Sequence, residues 1–287
     1  MNKPEVIMTV GLPGSGKSTW ANEKAFIDGY KVFSSDQMRV KMFGDINYQK
    51  KNGELFAEIY KEIKEAVEKG ENVILDATNI DSKKRIEFIN RLDGIDCVKT
   101  ARIFALPFTN CLYNNWMRFR KVPFEAMERM YRHWQTPFYF EGWDNIEVCG
   151  SHFESVYDAV YKLMDYDQQN PHHDKTLGAH LEDVCSRLEN NGADEDLQMA
   201  GLMHDIGKPF VREFDKFGVA HYSNHAYVGA YDALSIYGLS LETSALITYH
   251  MHPMNWNDKV RERCLNTWGE KFFNKIMMLY AADKGEI

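Results

Sequence analysis

The sequence has few cysteines and lacks the features of a secreted or membrane-embedded chain. Its five cysteines among 287 residues are scattered and include no Cys-x-x-Cys pair. This pattern argues against a disulfide framework and against a zinc site built from thiolates. No window approaches the roughly 18 consecutive apolar residues of a membrane span, and the apolar N-terminal stretch is too short for a signal peptide. We therefore expect a cytoplasmic protein with reduced cysteines and no membrane partner.

Positive charge is also in short supply. Lys and Arg total 34 against 42 Asp and Glu, which gives a formal net charge of −8. This charge argues against electrostatic binding of nucleic acid over the whole surface. The segment from Lys83 to Arg132 is the exception, because its eleven basic and five acidic residues leave a local balance of +6. That segment could face a polyanion, or its charges could lie on ordinary solvated helix faces.

The length and the pattern of hydrophobic residues indicate two domains of different class. A chain of 287 residues with 44% hydrophobic residues fits two globular domains at about 150 residues each. Strands alternate with helices in the first half, which predicts an α/β domain over residues 1–151, with a parallel sheet flanked by helices. Only helical patterns follow, which predicts an all-α bundle over residues 152–287. The predicted strands are "EVIMTV", "YKVFSSD", "ENVILDATN", "VKTARIFAL" and "NIEVCG".

The most specific motif is "GLPGSGKST" at residues 11–19. It satisfies the Walker A pattern, follows a predicted strand and opens a predicted helix, which is the context of a phosphate-binding loop. In such loops, glycines bring backbone N–H groups close to phosphate, the lysine bridges the terminal phosphates and the serine binds magnesium. We therefore expect ATP, or another nucleoside triphosphate, with Mg²⁺. The residues expected to hold it are Gly11, Gly14, Ser15, Gly16, Lys17, Ser18 and Thr19.

Further polar residues of the same half are candidates for phosphate transfer. Asp36 and Arg39 in "SSDQMR" share one face of a first helical turn, where the carboxylate could accept a hydroxyl proton and the arginine could neutralise charge. The alternative is an N-cap aspartate with a surface arginine. Asp76 leaves an apolar strand at the position where P-loop proteins keep a carboxylate for magnesium or water. Arg118 and Arg120 could stabilise transition-state charge or lie on a basic surface helix.

The order of "GLPGSGKSTW", "SSDQMR", "ILDATNIDSKKR" and "NNWMRFRKVPFEAMERM" resembles the kinase domain of phage-type 5′-hydroxyl polynucleotide kinases over residues 5–132. The resemblance implies ATP-dependent phosphorylation of a 5′-hydroxyl end. This chain departs from the family pattern at Asn114, where the lids of the family commonly carry a second arginine. The resemblance implies that Lys17 and Ser18 handle ATP and magnesium, Asp36 is the general base, Arg39 holds the acceptor end, Asp76 supports the acceptor site and Arg118 is the lid arginine.

Histidines are concentrated in the second half, where eight of the ten lie at or beyond residue 172. Imidazole and carboxylate ligands without thiolate suit one or two ions of manganese, iron, cobalt, nickel or zinc. Asp205 could bridge two such ions with its two oxygens, and Lys208 could steady a phosphate. Any single buried histidine is more often a satisfied core residue, but a bundle can bring ligands from several helices together. The expected ligand set is His180, His204, Asp205, His225, His250 and Asp283.

This ordered set, with "NPHHDKTLGAHLEDV", "HDIGKP" and "HAYVGA", resembles the HD phosphohydrolase superfamily over residues 166–287. His172, His173 and His252 have no place in the family pattern and are considered as substrate contacts. The resemblance implies a first metal bound by His180, His204, Asp205 and Asp283, and a second metal bound by His225 and His250.

The two halves together predict an enzyme that repairs nucleic-acid ends. A broken RNA strand can present a 5′-hydroxyl and a 2′,3′-cyclic phosphate or terminal phosphomonoester, and a kinase joined to a phosphohydrolase corrects both. The leading hypothesis is a bifunctional RNA end-healing enzyme that acts on RNA or DNA ends, with a downstream RNA ligase as partner. One alternative is a nucleotide-metabolism enzyme that joins a small-molecule or nucleoside kinase to an HD nucleotidase or phosphodiesterase. Another is a nucleotide-sensing module whose helical bundle only binds RNA.

Overall fold

The chain folds into two compact units. The structure is a computed structural model that describes residues 3–150, 153–171 and 174–287. The boundary expected between residues 151 and 152 falls on residues that the structure does not describe, so it stays a prediction. One difference from the predicted division is that residues 128–136 pack with the second unit. The first unit consists of Met1–Met127 and Pro137–Cys149, and the second of Glu128–Thr136 and Gly150–Ile287.

The first unit contains a five-stranded parallel sheet, which confirms the fold class predicted for this half. Its strands are β1 (Glu5–Val10), β2 (Lys31–Ser34), β3 (Val73–Asp76), β4 (Val98–Phe104) and β5 (Asn145–Cys149). Their spatial order is β2-β3-β1-β4-β5, and every neighbouring pair is parallel. The central strand β1 is buried almost throughout, because the strands of a parallel sheet are covered on both faces and read as continuous apolar runs.

Helices connect the strands of this sheet. Helix α3 buries Leu55, Ile59 and Ile63, whose spacing of three to four residues places them on one amphipathic face. The helices of this part of the chain are α1 (Lys17–Asp28), α2 (Ser35–Phe43), α3 (Asn52–Glu68), α4 (Ser82–Arg91), α5 (Phe108–Met117) and α6 (Phe124–Tyr131).

The register of β2 and β3 explains why distant polar residues meet. Ser34 at the end of β2 pairs with Asp76 at the end of β3, and helix α2 begins at the next residue, Ser35. The carboxyl ends of parallel strands lie at one edge of the sheet, where α/β proteins bind their ligands. The P-loop, Asp36 and Asp76 therefore share that edge.

The basic segment between Lys83 and Arg132 does not form one charged face. Arg85 is fully buried, and its guanidinium pairs with the Glu141 carboxylate at 2.6 Å. Arg102 pairs with Glu147 across neighbouring strands. These arginines stabilise the fold, so a polyanion surface can involve only part of the segment.

The second unit is a helical bundle, as the sequence predicts. Helices α11 and α12 are its most buried elements, with nine and seven buried residues. No helix of the described residues is both long enough and apolar enough to span a bilayer. The helices are α7 (Val156–Tyr161), α8 (Leu177–Asn190), α9 (Glu195–Met203), α10 (Lys208–Val211), α11 (His225–Ser235), α12 (Leu241–Tyr249), α13 (Asp258–Trp268) and α14 (Glu270–Lys284).

Some elements of this unit are absent from the sequence prediction. The strands β6 (Glu213–Phe214) and β7 (Ala220–His221) form a short antiparallel hairpin. Its turn is closed by the Asp215 carboxylate, which accepts hydrogen bonds from the backbone N–H groups of Phe217 and Val219. Strands of two residues are too short to show an alternating pattern. Helix α13 buries no residue, so it lacks the apolar periodicity from which helices are predicted.

Residues 128–136 are an internal part of the second unit. Trp134 is fully buried, and its indole N–H donates to the Thr136 hydroxyl at 3.0 Å. The Tyr131 hydroxyl donates to the Asp232 carboxylate of α11 at 2.6 Å. No local pattern in the sequence indicates which core Trp134 joins, so this segment is predicted to belong to the first domain.

Candidate active sites

The P-loop of the first unit borders a cavity of about 210 Å³. Gly14 and Gly16 have φ angles of 85° and 96°, a region that favours glycine. A Cβ atom at Gly14 would lie 2.4 Å from the Cys111 carbonyl oxygen, so no larger residue fits there. Gly11 and Ser15 of the expected nucleotide set do not line the cavity, although both belong to the loop. The cavity is lined by Gly14, Gly16, Lys17, Ser18, Thr19, Asn114 and Arg118.

The Lys17 ammonium group lies inside the P-loop. It donates to the Leu12 carbonyl oxygen at 2.7 Å and to the Ser15 hydroxyl at 3.3 Å. Burial lowers the pKa of Lys17 to about 8, because the charged form loses its hydration there. Phosphate oxygens would restore that lost solvation, so the buried ammonium is suited to a polyanionic ligand.

Ser18 and Asp76 meet beside the cavity. The Ser18 hydroxyl donates to the Asp76 carboxylate at 2.7 Å, and the Thr9 hydroxyl lies 3.5 Å from the other carboxylate oxygen. Magnesium binds through few protein oxygens together with water and phosphate. This serine and carboxylate therefore fit a Mg²⁺ ion accompanying a bound nucleotide.

Asp36 is held between two arginines. The Arg39 Nη1 atom donates to one oxygen of the Asp36 carboxylate at 3.0 Å, and the Arg120 Nη1 atom donates to the other at 2.5 Å. Arg39 is buried, which lowers the pKa of its guanidinium, and its Nε finds no hydrogen-bond partner among the described residues. The Asn52 Oδ1 atom accepts from Arg39 Nη2 at 2.9 Å, and the Asn47 Oδ1 atom accepts from Arg120 Nε at 3.1 Å. Sequence reasoning missed both asparagines, because no motif marks them.

The two ends of the loop after α5 face different parts of this site. Arg118 is exposed and lines the cavity, whereas Arg120 contacts Asp36. Asn114, which replaces the second lid arginine of the family pattern, donates to the Gly14 carbonyl oxygen at 2.9 Å. The amide thus fastens α5 to the P-loop and adds no charge to the cavity.

The second unit brings the six expected metal ligands together around Asp205. One oxygen of Asp205 lies 3.4 Å from His204 Nε2 and 3.6 Å from His180 Nε2. The other lies 2.9 Å from His225 Nε2 and 3.8 Å from His250 Nε2. Asp283 completes the first side, 3.1 Å from His180. Each oxygen of Asp205 therefore faces its own ligand group, as a carboxylate that bridges two ions requires.

Three of these histidines are oriented by main-chain carbonyl groups. Nδ1 of His204, His225 and His250 lies 2.7–2.8 Å from the carbonyl oxygen three residues earlier in the chain. A carbonyl can only accept, so Nδ1 must carry the proton, and Nε2 of the neutral ring keeps its lone pair. Such outer hydrogen bonds fix the tautomer of metal-binding histidines. The nitrogen and oxygen donors of this cluster fit one or two divalent transition metals.

The electrostatics of the cluster call for additional positive charge. Burial disfavours a charged His204, but Asp205 and Asp283 outweigh it and raise the pKa of His204 to about 10. For His250, burial and then the neighbouring His204 and His225 lower the pKa to about 3. A divalent cation would satisfy the carboxylates without a protonated ring.

Lys208 lies within the same cluster. Its ammonium group contacts the Asp205 carboxylate at 2.6 Å and donates to the Gln168 side chain at 2.8 Å. Gln168 is buried, and its amide also donates to the Lys175 carbonyl oxygen at 3.1 Å. Sequence reasoning missed Gln168, because it lies in a polar stretch that reads as a loop.

Of the three histidines considered as substrate contacts, the structure describes His252. His172 and His173 lie outside the described residues. His252 packs against the rings of Tyr249 and Trp268, with centroid distances of 5.0 and 5.8 Å, and burial lowers its pKa. The structure thus places His252 in an aromatic cluster.

Two family models match separate parts of this chain. Residues 6–137 match the model of the AAA domain, and residues 172–284 match the model of the HD domain. The chain joins a P-loop kinase domain to an HD domain. The fusion predicted from the two motifs is confirmed, and it implies a nucleotide with Mg²⁺ in the kinase domain and a divalent metal in the HD domain.

Several known proteins are similar to part of this chain. L-seryl-tRNA(Sec) kinase of Methanococcus maripaludis is 30% identical over 164 residues, which are 53% of this chain and 60% of that protein. A chain of the Pnkp1/Rnl/Hen1 RNA repair complex is 21% identical, with a TM-score of 0.41 over 45% of this chain and 43% of that one. The APS kinase CysC of Mycobacterium tuberculosis is 15% identical, with a TM-score of 0.39 over 57% of this chain and 98% of that one. The chain spans less than two thirds of the length of the first two proteins.

Proposed function

We propose that this protein heals the ends of broken RNA. The kinase domain phosphorylates a 5′-hydroxyl end with ATP, and the HD domain hydrolyses a 2′,3′-cyclic phosphate or a 2′- or 3′-phosphomonoester. The observation that carries the proposal is that one chain holds two carboxylates placed for phosphate chemistry, one in each domain. Asp36 lies between two arginines near the phosphate cavity, and Asp205 faces two separate groups of metal ligands.

In the kinase reaction, the oxygen of the 5′-hydroxyl attacks the γ-phosphorus of ATP, and Asp36 accepts the hydroxyl proton. The bond from that phosphorus to the bridging oxygen breaks, and the products are a 5′-phosphate end and ADP. Lys17 and Arg118 donate to the phosphoryl oxygens and stabilise their charge in the transition state. Ser18 and Asp76, whose side chains meet at 2.7 Å, would hold a magnesium ion that shields the phosphate charge.

The surroundings of Asp36 favour a polynucleotide acceptor over a neutral small molecule. Two guanidinium groups contact the carboxylate, and arginine binds phosphate in bidentate fashion. The phosphate that follows the terminal nucleoside of a strand could engage Arg39, whose buried Nε has no partner among the described residues. A sugar or free nucleoside offers no such anion.

The HD domain supplies the groups that a phosphate ester hydrolase needs. Divalent metal ions, when bound, act as Lewis acids and lower the pKa of water. His204, His225 and His250 present Nε2 to them because main-chain carbonyls hold Nδ1. Lys208 holds a phosphate oxygen of the substrate, and Gln168 keeps the ammonium group of Lys208 in place.

The products of the two reactions define the partner. Hydrolysis opens a cyclic phosphate to a phosphomonoester, and a second hydrolysis releases inorganic phosphate and leaves a 2′,3′-diol. A strand break with a 5′-phosphate and a 2′,3′-diol is the substrate of a nucleic-acid ligase, so an RNA ligase acts after this protein. RNA is the preferred substrate in this proposal, because a 2′,3′-cyclic phosphate requires a ribose 2′-hydroxyl. DNA ends are a comparison substrate.

The kinase half is tested with radiolabelled ATP and a panel of acceptors: 5′-hydroxyl RNA, 5′-hydroxyl DNA, nucleosides and L-seryl-tRNA, which the name of the similar kinase from Methanococcus maripaludis suggests. We expect label on the 5′ end of RNA, and loss of it in Lys17→Ala. Label on nucleosides alone would instead support a nucleotide-metabolism enzyme, and label on seryl-tRNA alone would support a different RNA-linked acceptor.

The HD half is tested by removing bound metal with a chelator and adding back Mn²⁺ or another transition metal. Phosphate release from RNA with a 3′-phosphate or a cyclic phosphate end should return with metal in the wild type and stay absent in Asp205→Asn. His221→Ala is the matched control, because His221 is an exposed histidine of the hairpin outside the cluster. Hydrolysis of free nucleotides alone would contradict the repair proposal.

A further inference from the structure

The last turn of helix α5 and the loop that follows it expose large rings beside the phosphate cavity. Trp116 is 65% exposed, and the Phe119 side chain is fully exposed. Residues 113–123 contain three basic side chains and no acidic one. Soluble proteins expose contiguous apolar groups mainly where something binds, and this patch combines such groups with positive charge.

The backbone of the loop is held by hydrogen bonds to the buried Asn115 side chain. The Asn115 side chain is buried, and its amide donates to the Val122 carbonyl oxygen at 2.8 Å. Its carbonyl oxygen accepts from the Val122 backbone N–H at 2.9 Å. Asn115 thus closes the loop, and Asn114 ties the preceding turn to Gly14 of the P-loop.

The loop runs from the donor side of the site to the acceptor side. Arg118 lines the phosphate cavity, and Arg120 contacts Asp36. Phe119 lies between them in the chain, with its Cα about 3.8 Å from each neighbouring Cα. A strand whose 5′ end reaches Asp36 therefore passes close to this surface.

We infer that the surface formed by Trp116, Phe119 and Lys121 binds the single-stranded part of the acceptor downstream of its terminal nucleotide. Aromatic faces stack on bases of any sequence, and basic side chains bind the phosphates between them. The Lys121 ammonium lies 5.7 Å from the centroid of the Trp116 ring, so a group that binds phosphate lies beside a ring that can stack on a base. The inference rests on the proposed function, because it names the substrate surface of the same kinase site.

The test measures binding of a fluorescent 5′-hydroxyl RNA of about 12 nucleotides to the full chain, alongside phosphorylation kinetics. The double variant Trp116→Ala, Phe119→Ala should bind this RNA about tenfold or more weakly, since stacking contributes strongly per base. Its KM for ATP and its kcat/KM for a nucleoside 3′-phosphate should not change. Phe119→Trp should retain binding. Phe26→Ala is the matched control, because Phe26 is a 91% exposed ring elsewhere in the same unit.

The possible results separate this inference from the proposed function. RNA binding equal to the wild type in the double variant would overturn the inference. A raised KM for ATP with unchanged RNA binding would also overturn it, because the rings would then stack on the donor base. Should the wild type bind RNA through these rings and yet phosphorylate no 5′-hydroxyl, the surface would stand and the kinase proposal would fall.

Discussion

Asp36 is the residue on which the kinase proposal depends most. Removing a general base while keeping its shape costs about 10²–10⁴-fold in rate. We predict that Asp36→Asn lowers kcat for 5′-hydroxyl phosphorylation by that factor and leaves phosphate release by the HD domain unchanged. Asp28→Asn serves as control, because Asp28 pairs with Lys24 on the surface of α1. An Asp36→Asn protein with near wild-type kcat would show that another group takes the proton.

Lys17 makes ATP binding sensitive to alkaline pH. Burial lowers its pKa to about 8, so the free protein loses this charge as the pH rises through that value, whereas ATP binds the protonated form. The affinity for ATP should therefore fall about tenfold per pH unit above about pH 8 and stay level below about pH 7. Calorimetric titration of the protein with ATP at several pH values measures this affinity.

The control for this pH dependence is Lys17→Met, which should bind ATP weakly and without the alkaline fall. An affinity of the wild type that stays constant from about pH 7 to about pH 9.5 would contradict a buried lysine with a pKa near 8.

At this scale the sequence identifies residues that belong to motifs and misses those that orient them. The P-loop is recognisable from its spacing, and the Asp36–Arg39 pair and the six expected metal ligands are predicted from their order in the chain together with the two family resemblances. Gln168, which contacts Lys208 from 40 positions away, and Asn47, which contacts Arg120 from 73 positions away, are not. An isolated polar residue in a loop carries no periodic signal, and only the folded chain shows what it touches.

Among the elements, the segment 128–136 shows where local patterns fail. It follows the basic loop of the first unit in the chain, yet its tryptophan is buried in the second unit. Strands were predictable as short continuous apolar runs, and amphipathic helices because their apolar residues recur with period 3.6. The hairpin and helix α13 were not, because the first is too short and the second buries nothing.

The buried position of Trp134 gives a stability prediction for this segment. Trp134→Ala should lower the free energy of unfolding of the second unit by about 3–5 kcal/mol, because a large fully buried ring leaves a cavity. Denaturant unfolding followed by circular dichroism measures the change. Tyr157→Ala is the control, since Tyr157 is 71% exposed on α7 of the same unit. A Trp134→Ala protein as stable as this control would mean that the segment contributes little to the core.

For the whole molecule, the proposal assigns one damaged end to each domain. Lys17 belongs to the phosphate cavity of the kinase domain, and Asp205 to the metal ligands of the HD domain. A substitution at one site should therefore leave the chemistry at the other intact.

The most direct measurement of the central claim uses one RNA that carries both a 5′-hydroxyl and a 2′,3′-cyclic phosphate or 3′-phosphate. The RNA is incubated with ATP, magnesium and a transition metal, and both ends are analysed by mass spectrometry. The wild type should yield a 5′-phosphate and a free 3′ end, Lys17→Ala only the repaired 3′ end, and Asp205→Ala only the 5′-phosphate. An RNA that keeps both original ends with the wild type, while free nucleotides are turned over, would contradict the account.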